Sequence, residues 1–186
     1  MNERGPTGRN YSDGLPLDVV ETERLRIRRL DAGDAPFILE LLNDPSWLQY
    51  IGDKGVRTLQ AAERYIVDGP MAMYERLGFG LYLVELKGPG EPIGICGVIK
   101  RETLDDVDLG FSFLSRFRRN GYAFEAASAV MAYGRRVLGL CRIVAVTSLH
   151  NHPSGKLLEK LGFRCDGTVK LQAAGEDLKL YIADLA

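Results

Sequence analysis

The sequence predicts an α/β (α+β) protein with a mixed, mostly antiparallel sheet flanked by helices. Residues 107–113 alternate between apolar and polar side chains, which is typical of a strand with one buried face. Residues 122–137 instead place apolar side chains at helical spacing. A basic, glycine-containing turn over 116–121 joins the two segments. The same analysis along the whole chain gives the element order β-α-α-β-β-β-α-β-α-β-β.

The chain is predicted to consist of a short arm and one domain. Residues 1–18 contain glycines, prolines and polar residues without periodicity, so we interpret them as a mobile N-terminal arm. With 46% of the chain hydrophobic, one full core can form. Residues 19–186 are therefore expected to fold as a single domain.

The first part of the domain has the pattern of a strand followed by two helices. Alternation over 21–28 predicts the strand, and an apolar stripe over 37–42 predicts the first helix. A second helix is predicted over 59–67. Because proline breaks the hydrogen-bond pattern of a helix, we expect Gly69 and Pro70 to interrupt it before a second helical piece.

The rest of the domain has the pattern of strands around two further helices. Runs over 79–87 and 93–100 predict a hairpin that leads into the strand at 107–113. After the crossover helix, the β-branched run 142–147 predicts a strand parallel to 107–113. A short helix and a final hairpin complete the chain.

Composition argues against several classes of function. The formal net charge of −1 disfavours a nucleic-acid binder, which is normally basic. No run of about 18 apolar residues is present to span a membrane. Cys96, Cys141 and Cys165 are dispersed and are predicted to be reduced core thiols, which is typical of a cytoplasmic protein. No metal site is expected, because His150 and His152 have no cysteine pair nearby.

The turn at 116–121 has the composition of a phosphate-binding loop. It carries arginines and Gly121, and it precedes a helix. A helix N-terminus presents free N–H groups and the positive end of the helix dipole, which suits a phosphate. The alternative is a solvated loop whose arginines face water. A nucleoside-triphosphate loop is excluded, because no G-x-x-x-x-G-K-[ST] sequence occurs.

Several motifs resemble those of one known family. The run R-R-N-G-Y-A at 118–123 is similar to the R/Q-x-x-G-x-G/A signature of GNAT-type N-acetyltransferases. Its continuation G-Y-A-x-E-A, and T-E-R-L-R-I-R at 22–28, resemble the branch of Rim-type ribosomal-protein N-terminal acetyltransferases. The run N-x-x-S-x-x-L-x-x-K-x-G-F at 151–163 resembles a second family motif. The predicted element order is also the GNAT order.

This resemblance implies that acetyl-coenzyme A is the donor, with no metal. In the family two parallel strands part beside the turn, and pantetheine pairs with backbone groups freed there, here around Phe113 and Leu114. Asn151 is expected to bond the pantetheine amides, or else to cap a helix. The residues expected to wrap the pyrophosphate are Arg118, Arg119, Asn120, Gly121, Tyr122 and Ala123.

Direct attack by an amine requires a group that accepts its proton, since an ammonium has a pKa of about 10.4. Asp108 is the first candidate. It lies on the strand face opposite Leu109 and Phe111, and a carboxylate is often found there in the family. Glu85, which interrupts an apolar strand, is the second candidate. Each has a structural alternative: Asp108 as a strand-edge charge or ion pair, and Glu85 as an arginine partner.

The family resemblance has one departure at the leaving-group end. Leu158 occupies the position of the tyrosine that often protonates departing coenzyme A in the family. We therefore assign Ser154 to hydrogen-bond the thiolate, with the N-cap of a helix as its alternative role. His150 and His152 flank the donor motif and are not favoured as bases.

The acceptor stays open at this point. The resemblance implies a primary amine, either a protein N-terminus, as in the Rim-type branch, or a small molecule. Trp47, Tyr50 and Tyr74 are candidate walls of its pocket, or ordinary core aromatics. A homodimer would be unsurprising for the family. Because the tyrosine is missing, the alternative is a catalytically idle acyl-coenzyme A-binding domain used for regulation.

Overall fold

A computed structural model describes residues 18–173 and 175–185 of the chain. In these residues it contains eight strands and six α-helices. In chain order they are β1 (Asp18–Glu21), β2 (Leu25–Arg29), α1 (Ala35–Leu42), α2 (Pro45–Tyr50), α3 (Leu59–Ile66), α4 (Ala72–Leu77), β3 (Leu81–Leu86), β4 (Pro92–Ile99), β5 (Asp108–Phe113), α5 (Tyr122–Arg136), β6 (Arg142–Ser148), α6 (His152–Lys160), β7 (Arg164–Val169) and β8 (Leu178–Asp184).

The strands form one sheet in the order β1-β2-β3-β4-β5-β6-β8-β7. Neighbours are antiparallel except β5 and β6, which are parallel. The predicted mixed, mostly antiparallel class is confirmed. Strand β1 is an addition, because its four half-exposed residues give too short a pattern to read. It begins at Asp18, the last residue assigned to the mobile arm, and the rest of that arm lies outside the described residues.

The predicted interruption at Gly69 and Pro70 is wrong. Residues Val67–Met71 form a π-helical turn that joins α3 to α4 without a break, and Pro70 is buried inside it. Proline lacks an N–H, and its ring clashes with the carbonyl four residues earlier in an α-helix. A π-turn widens the backbone locally, so the chain keeps its helical direction past the proline.

The sheet lies between two hydrophobic clusters. One cluster joins the sheet to α5 and α6 and includes Leu109, Ala126 and Leu158. The other joins it to α1 and α3 and includes Ile38 and Ile66. Cys96 is buried as predicted, but Cys141 and Cys165 are exposed, so the prediction of three core thiols is wrong for two of them. Their neighbours in the sequence are apolar, yet both lie near strand ends.

The central strands β5 and β6 pair at a single position near their N-terminal ends. Asp108 of β5 is opposite Val144 of β6, and the Val144 N–H donates to the Val107 carbonyl at 2.9 Å. Beyond this point β5 continues to pair with β4, and β6 continues to pair with β8. The two facing strand edges therefore separate and leave a wedge in the middle of the sheet.

Candidate active site

A cleft of about 1370 Å³ opens along this wedge. Its walls come from both strands, the helices that cover one face of the sheet, the basic turn and the start of α6. Pockets for one small ligand typically measure ~300–1,000 Å³. The cleft therefore has room for more than one substrate at a time.

The backbone of β5 presents unpaired groups to the wedge. The Leu114 N–H donates to the Ile93 carbonyl of the neighbouring strand region at 3.0 Å. Because successive residues of a strand direct their backbone groups to opposite sides, Phe111 and Phe113, which lie beyond the paired position, direct theirs toward the wedge. Of these groups, the Phe113 carbonyl already accepts from Arg118 Nε at 3.2 Å.

The same alternation applies to β6. The Val144 backbone faces β5, so Val146 and Ser148 face the wedge. The buried Thr147 Oγ1 has no hydrogen-bond partner among the described residues, and Thr147 lines the cleft. Of the two residues whose backbone is predicted to pair with pantetheine, Phe113 lines the cleft. Leu114 is 1% exposed and its N–H is bonded to the sheet, so its backbone donor is not free.

The predicted phosphate turn ends at the N-terminus of α5. Gly121 caps this helix with φ of +82°, a left-handed conformation that suits glycine. The first N–H groups of a helix have no acceptor within it, so those of α5 are available to an anion. Of the predicted pyrophosphate residues, five line the cleft: Arg118, Arg119, Gly121, Tyr122 and Ala123. The sixth, Asn120, instead donates to the Phe117 and Arg118 carbonyls at 3.3 Å each.

A clamp that sequence reasoning missed fixes this turn to the start of β2. Glu125 accepts hydrogen bonds from the Arg24 guanidinium at 2.7 Å, the Arg24 N–H at 3.0 Å and the Thr22 hydroxyl at 2.5 Å. Arg24 also donates to the Asn120 carbonyl at 3.0 Å and lies over the Tyr122 ring. Burial favours the protonated acid, yet these donors lower the pKa of Glu125. The signal was present in the T-x-R and G-Y-A-x-E motifs, which sequence analysis left unconnected.

A second network ties the turn to α2. The Arg118 guanidinium donates to the Ser46 hydroxyl, and Asp44 accepts from Ser46 N–H at 3.0 Å and from Ser115 N–H at 2.9 Å. Burial alone would raise the pKa of Asp44, but the donors outweigh it and hold the pKa at about 2. The ionised Asp44 therefore joins the helices on one side of the cleft to the basic turn.

Asp108 lies at the closed end of the wedge, where β5 and β6 diverge. It is 1% exposed and accepts a hydrogen bond on Oδ2 from Arg101 Nε at 2.5 Å. Its Oδ1 is buried and has no hydrogen-bond partner among the described residues. Burial raises the pKa of Asp108 more than the Arg101 charge and the nearby Val146 N–H lower it. A carboxylate with a raised pKa in a cleft is typical of a general base.

Glu85 lies in a different environment. It forms an ion pair with Arg28 at 2.7 Å, and Arg28 also binds Asp34 at 2.8 Å. Glu85 is 7% exposed and is not among the residues that line the cleft. Its surroundings match the structural alternative, an arginine partner.

The leaving-group candidate Ser154 lines the cleft on the first turn of α6. The N-cap of this helix is Asn151, whose Oδ1 accepts from the Ser154 N–H at 3.2 Å. Ser154 is therefore not the N-cap, and no hydrogen bond to its hydroxyl is found within residues 18–173 and 175–185. Leu158 is fully buried in the core.

The aromatic candidates for the acceptor wall divide into two groups. Trp47 and Tyr50 line the cleft. Tyr74 instead stacks on Tyr82 in the core, with ring centroids 5.6 Å apart. The cleft wall also contains Tyr65, which sequence analysis did not single out.

Across residues 18–173 and 175–185, no group of three or more His, Cys, Asp or Glu side chains is arranged to hold a metal ion. No described helix is both long enough and apolar enough to cross a membrane.

The fold and the cleft define an acyltransferase of the GNAT class. Residues 24–164 match the family model of the acetyltransferase (GNAT) domain. Because this match covers most of the chain, the protein belongs to the GNAT acetyltransferase family, whose members use acetyl-coenzyme A.

Relatives and solved structures agree with this assignment. The chain is 29% identical over 153 residues to the uncharacterized N-acetyltransferase YoaA of Bacillus subtilis, covering 82% of this chain and 86% of that protein. It is 34% identical over 94 residues to the ribosomal protein uS5 alanine N-acetyltransferase of Escherichia coli, covering 50% of this chain and 47% of that one. A RimL ribosomal L7/L12 acetyltransferase solved with coenzyme A has the same fold, with a TM-score of 0.77, 19% identity and coverage of 90% and 97%.

Proposed function

We propose that the protein transfers an acetyl group from acetyl-coenzyme A to a primary amine by direct attack, with both substrates bound together. The observation that carries this proposal is the wedge between β5 and β6, which has a buried carboxylate at its closed end. Its volume of about 1370 Å³ supports simultaneous binding of donor and acceptor.

The donor is proposed to lie along the wedge. The backbone groups of Phe111 and the carbonyl of Val146 would pair with the pantetheine amides as an added strand does. The N-terminus of α5 and the basic turn would bind the pyrophosphate. The Asn151 Oδ1 caps α6, and its side-chain amide N–H groups, which bond no described residue, would bind the same arm. Acetyl-coenzyme A supplies the activated thioester.

The protein's part in the reaction is proposed as follows. Asp108 accepts one proton from the bound ammonium, directly or through a water. The neutral amine then forms the new C–N bond as the C–S bond breaks, and unpaired N–H groups of β5 are available to the carbonyl oxygen as it gains negative charge. Ser154 donates a hydrogen bond to the departing thiolate. As the amide forms, the nitrogen loses a second proton, and the thiolate takes up one proton to give free coenzyme A. Asp108 releases the first proton to solvent, so atoms and charge balance without a further reactant.

Asp108 is proposed ahead of Glu85 as the base. Asp108 lines the cleft and has a raised pKa, while Glu85 is paired with Arg28 outside it.

Steady-state kinetics of thiol release from acetyl-coenzyme A tests this proposal, with amino acids, peptides and polyamines as acceptors. Direct attack predicts intersecting initial-velocity lines, and parallel lines would point to an acyl-enzyme instead. Asp108→Asn should depress kcat/KM most at low pH, and its deficit should shrink as pH approaches the pKa of the amine. Glu85→Gln is the matched control and should show no such profile. If it shows the profile and Asp108→Asn does not, the two assignments must be exchanged.

A further inference from the structure

The proposed base is paired with an arginine side chain that lines the same cleft. Arg101 donates from Nε to Asp108 Oδ2 at 2.5 Å, and the Asp108 side chain is 2% exposed. The Arg101 side chain is 37% exposed and lines the cleft. An ammonium that takes the place of Arg101 on Oδ2 must displace this guanidinium.

The rest of the Arg101 guanidinium is available to a ligand. Within the described ranges, its recorded hydrogen bond and ion pair go to Asp108 through Nε, and its charge also acts on Tyr65. The two terminal nitrogens form a planar fork that matches a carboxylate. This fork therefore suits an anionic group close to the reacting amine.

We propose that the acceptor is an amine with a carboxylate beside it, of the α-amino acid type, and that it exchanges partners with the Arg101–Asp108 pair. The substrate carboxylate takes the Arg101 guanidinium, and the substrate ammonium takes its place on Asp108. The buried Asp108 carboxylate and the partly exposed Arg101 guanidinium each keep an opposite charge throughout the exchange, so neither is left unpaired. The inference rests on the proposed function and narrows its acceptor class.

A peptide N-terminus is a poorer match to this arrangement. Its ammonium is followed by a neutral amide, which has no charge to hold Arg101 away from Asp108. Such an acceptor would have to break the 2.5 Å ion pair without a replacement for the guanidinium. The same geometry therefore separates the two acceptor classes that the family resemblance leaves open.

The test compares L-α-amino acids with their α-amides and with dipeptides that begin with the same residue. Thiol release from acetyl-coenzyme A gives kcat/KM, and mass spectrometry identifies the N-acetyl product. We expect the best amino acid to exceed its own amide by about 10- to 100-fold, because the amide leaves the guanidinium unpaired. Arg101→Gln should bring this ratio close to one. Arg101→Lys should keep part of it, since lysine retains the charge but not the fork.

Arg64→Gln is the matched control, because it removes another arginine from the cleft wall without touching Asp108. It should leave the ratio of amino acid to amide unchanged, and a loss equal to that of Arg101→Gln would overturn the specific role of Arg101. Thermal melts of each variant verify folding. If amides and dipeptides match or exceed the amino acids in the wild-type protein, the inference is overturned while the acetyltransferase function stands. If no amine releases thiol, the proposed function fails and this inference fails with it.

Discussion

Asp108 and Val144 form the one paired position between β5 and β6, and the proposed base therefore lies at the apex of the wedge. The same residue ends the strand pairing and begins the cleft. Its carboxylate is buried because both strands are still close at that point, while the next residues of β5 have lost their partner strand. This single relationship gives the cleft its free backbone groups and gives Asp108 its raised pKa.

Replacing Gly121 by valine should weaken donor binding while the fold is kept. The residue has φ of +82°, and an added Cβ would lie 3.3 Å from Arg24 Nη2 of the clamp. A tenfold weaker Kd would remove about 1.4 kcal/mol of the stabilisation that saturating acetyl-coenzyme A gives. The rise in Tm on adding acetyl-coenzyme A measures this loss.

Gly88→Val is the control for backbone strain. Gly88 has φ of +88° with nothing within 4 Å of an added Cβ, and it lies in the turn between β3 and β4. This variant should lose stability but keep the full donor-induced shift. An unchanged Kd in Gly121→Val would remove the pyrophosphate assignment.

Ser154→Ala should lower kcat by about 10- to 100-fold with donor affinity nearly unchanged, as expected for one hydrogen bond made in the transition state. Stability should also be nearly unchanged, since the hydroxyl bonds no described residue. Asn151→Ala makes the comparison, because it removes the actual cap of α6 and should cost about 1 kcal/mol of stability. Wild-type turnover in Ser154→Ala would overturn the assignment of Ser154 as the hydrogen-bond donor to the departing thiolate.

The raised pKa of Asp108 predicts a pH-dependent effect on stability. The Asp108 carboxyl binds a proton more tightly in the folded protein than in the unfolded chain. Burial of its charge therefore lowers the free energy of unfolding when the pH is above the folded pKa. This destabilisation disappears as the pH falls toward the pKa of the unfolded chain, about 3.9. Asp108→Asn should therefore have a higher Tm than wild type at neutral pH, with the gap closing on acidification. Thermal melts across pH measure this.

Glu85→Gln should have the opposite effect. It weakens the ion pair of the largely buried Arg28 and should lose about 1–2 kcal/mol, because Asp34 still holds the guanidinium. If Asp108→Asn is destabilised as much as Glu85→Gln, then Asp108 is a structural ion-pair partner and not a residue kept for chemistry.

The sequence predicted the features that depend on local pattern. Alternation and helical periodicity gave the sheet class, and the strand face of Asp108 followed from a period of two. The cap at Asn151 was considered, and the structure shows it. Strand β1 was not predicted, because its four residues are too few to show a period. The π-turn at Pro70 was not predicted, because it depends on tertiary contacts.

Features that depend on long-range pairing could not be read from the pattern. Arg24 and Glu125 are 101 positions apart, and Ser115 is 71 positions from Asp44. Arg101 is only seven residues before Asp108, but it lies in a loop where periodicity carries no information. The burial, the charge partner and the pKa of Asp108 all follow from such contacts. The sequence therefore indicated Asp108 but not its partner Arg101.

Amide hydrogen exchange with and without acetyl-coenzyme A tests the central claim most directly, which is that the donor lies in the wedge between β5 and β6. The account predicts slower exchange within residues 111–113, 118–124 and 146–148, where free N–H groups would gain partners. A smaller cavity of about 600 Å³, lined by Val107, Leu140 and Arg142 among others, provides the internal comparison. Protection confined to that cavity, or no change along β5 and β6 at saturating donor, would contradict the account.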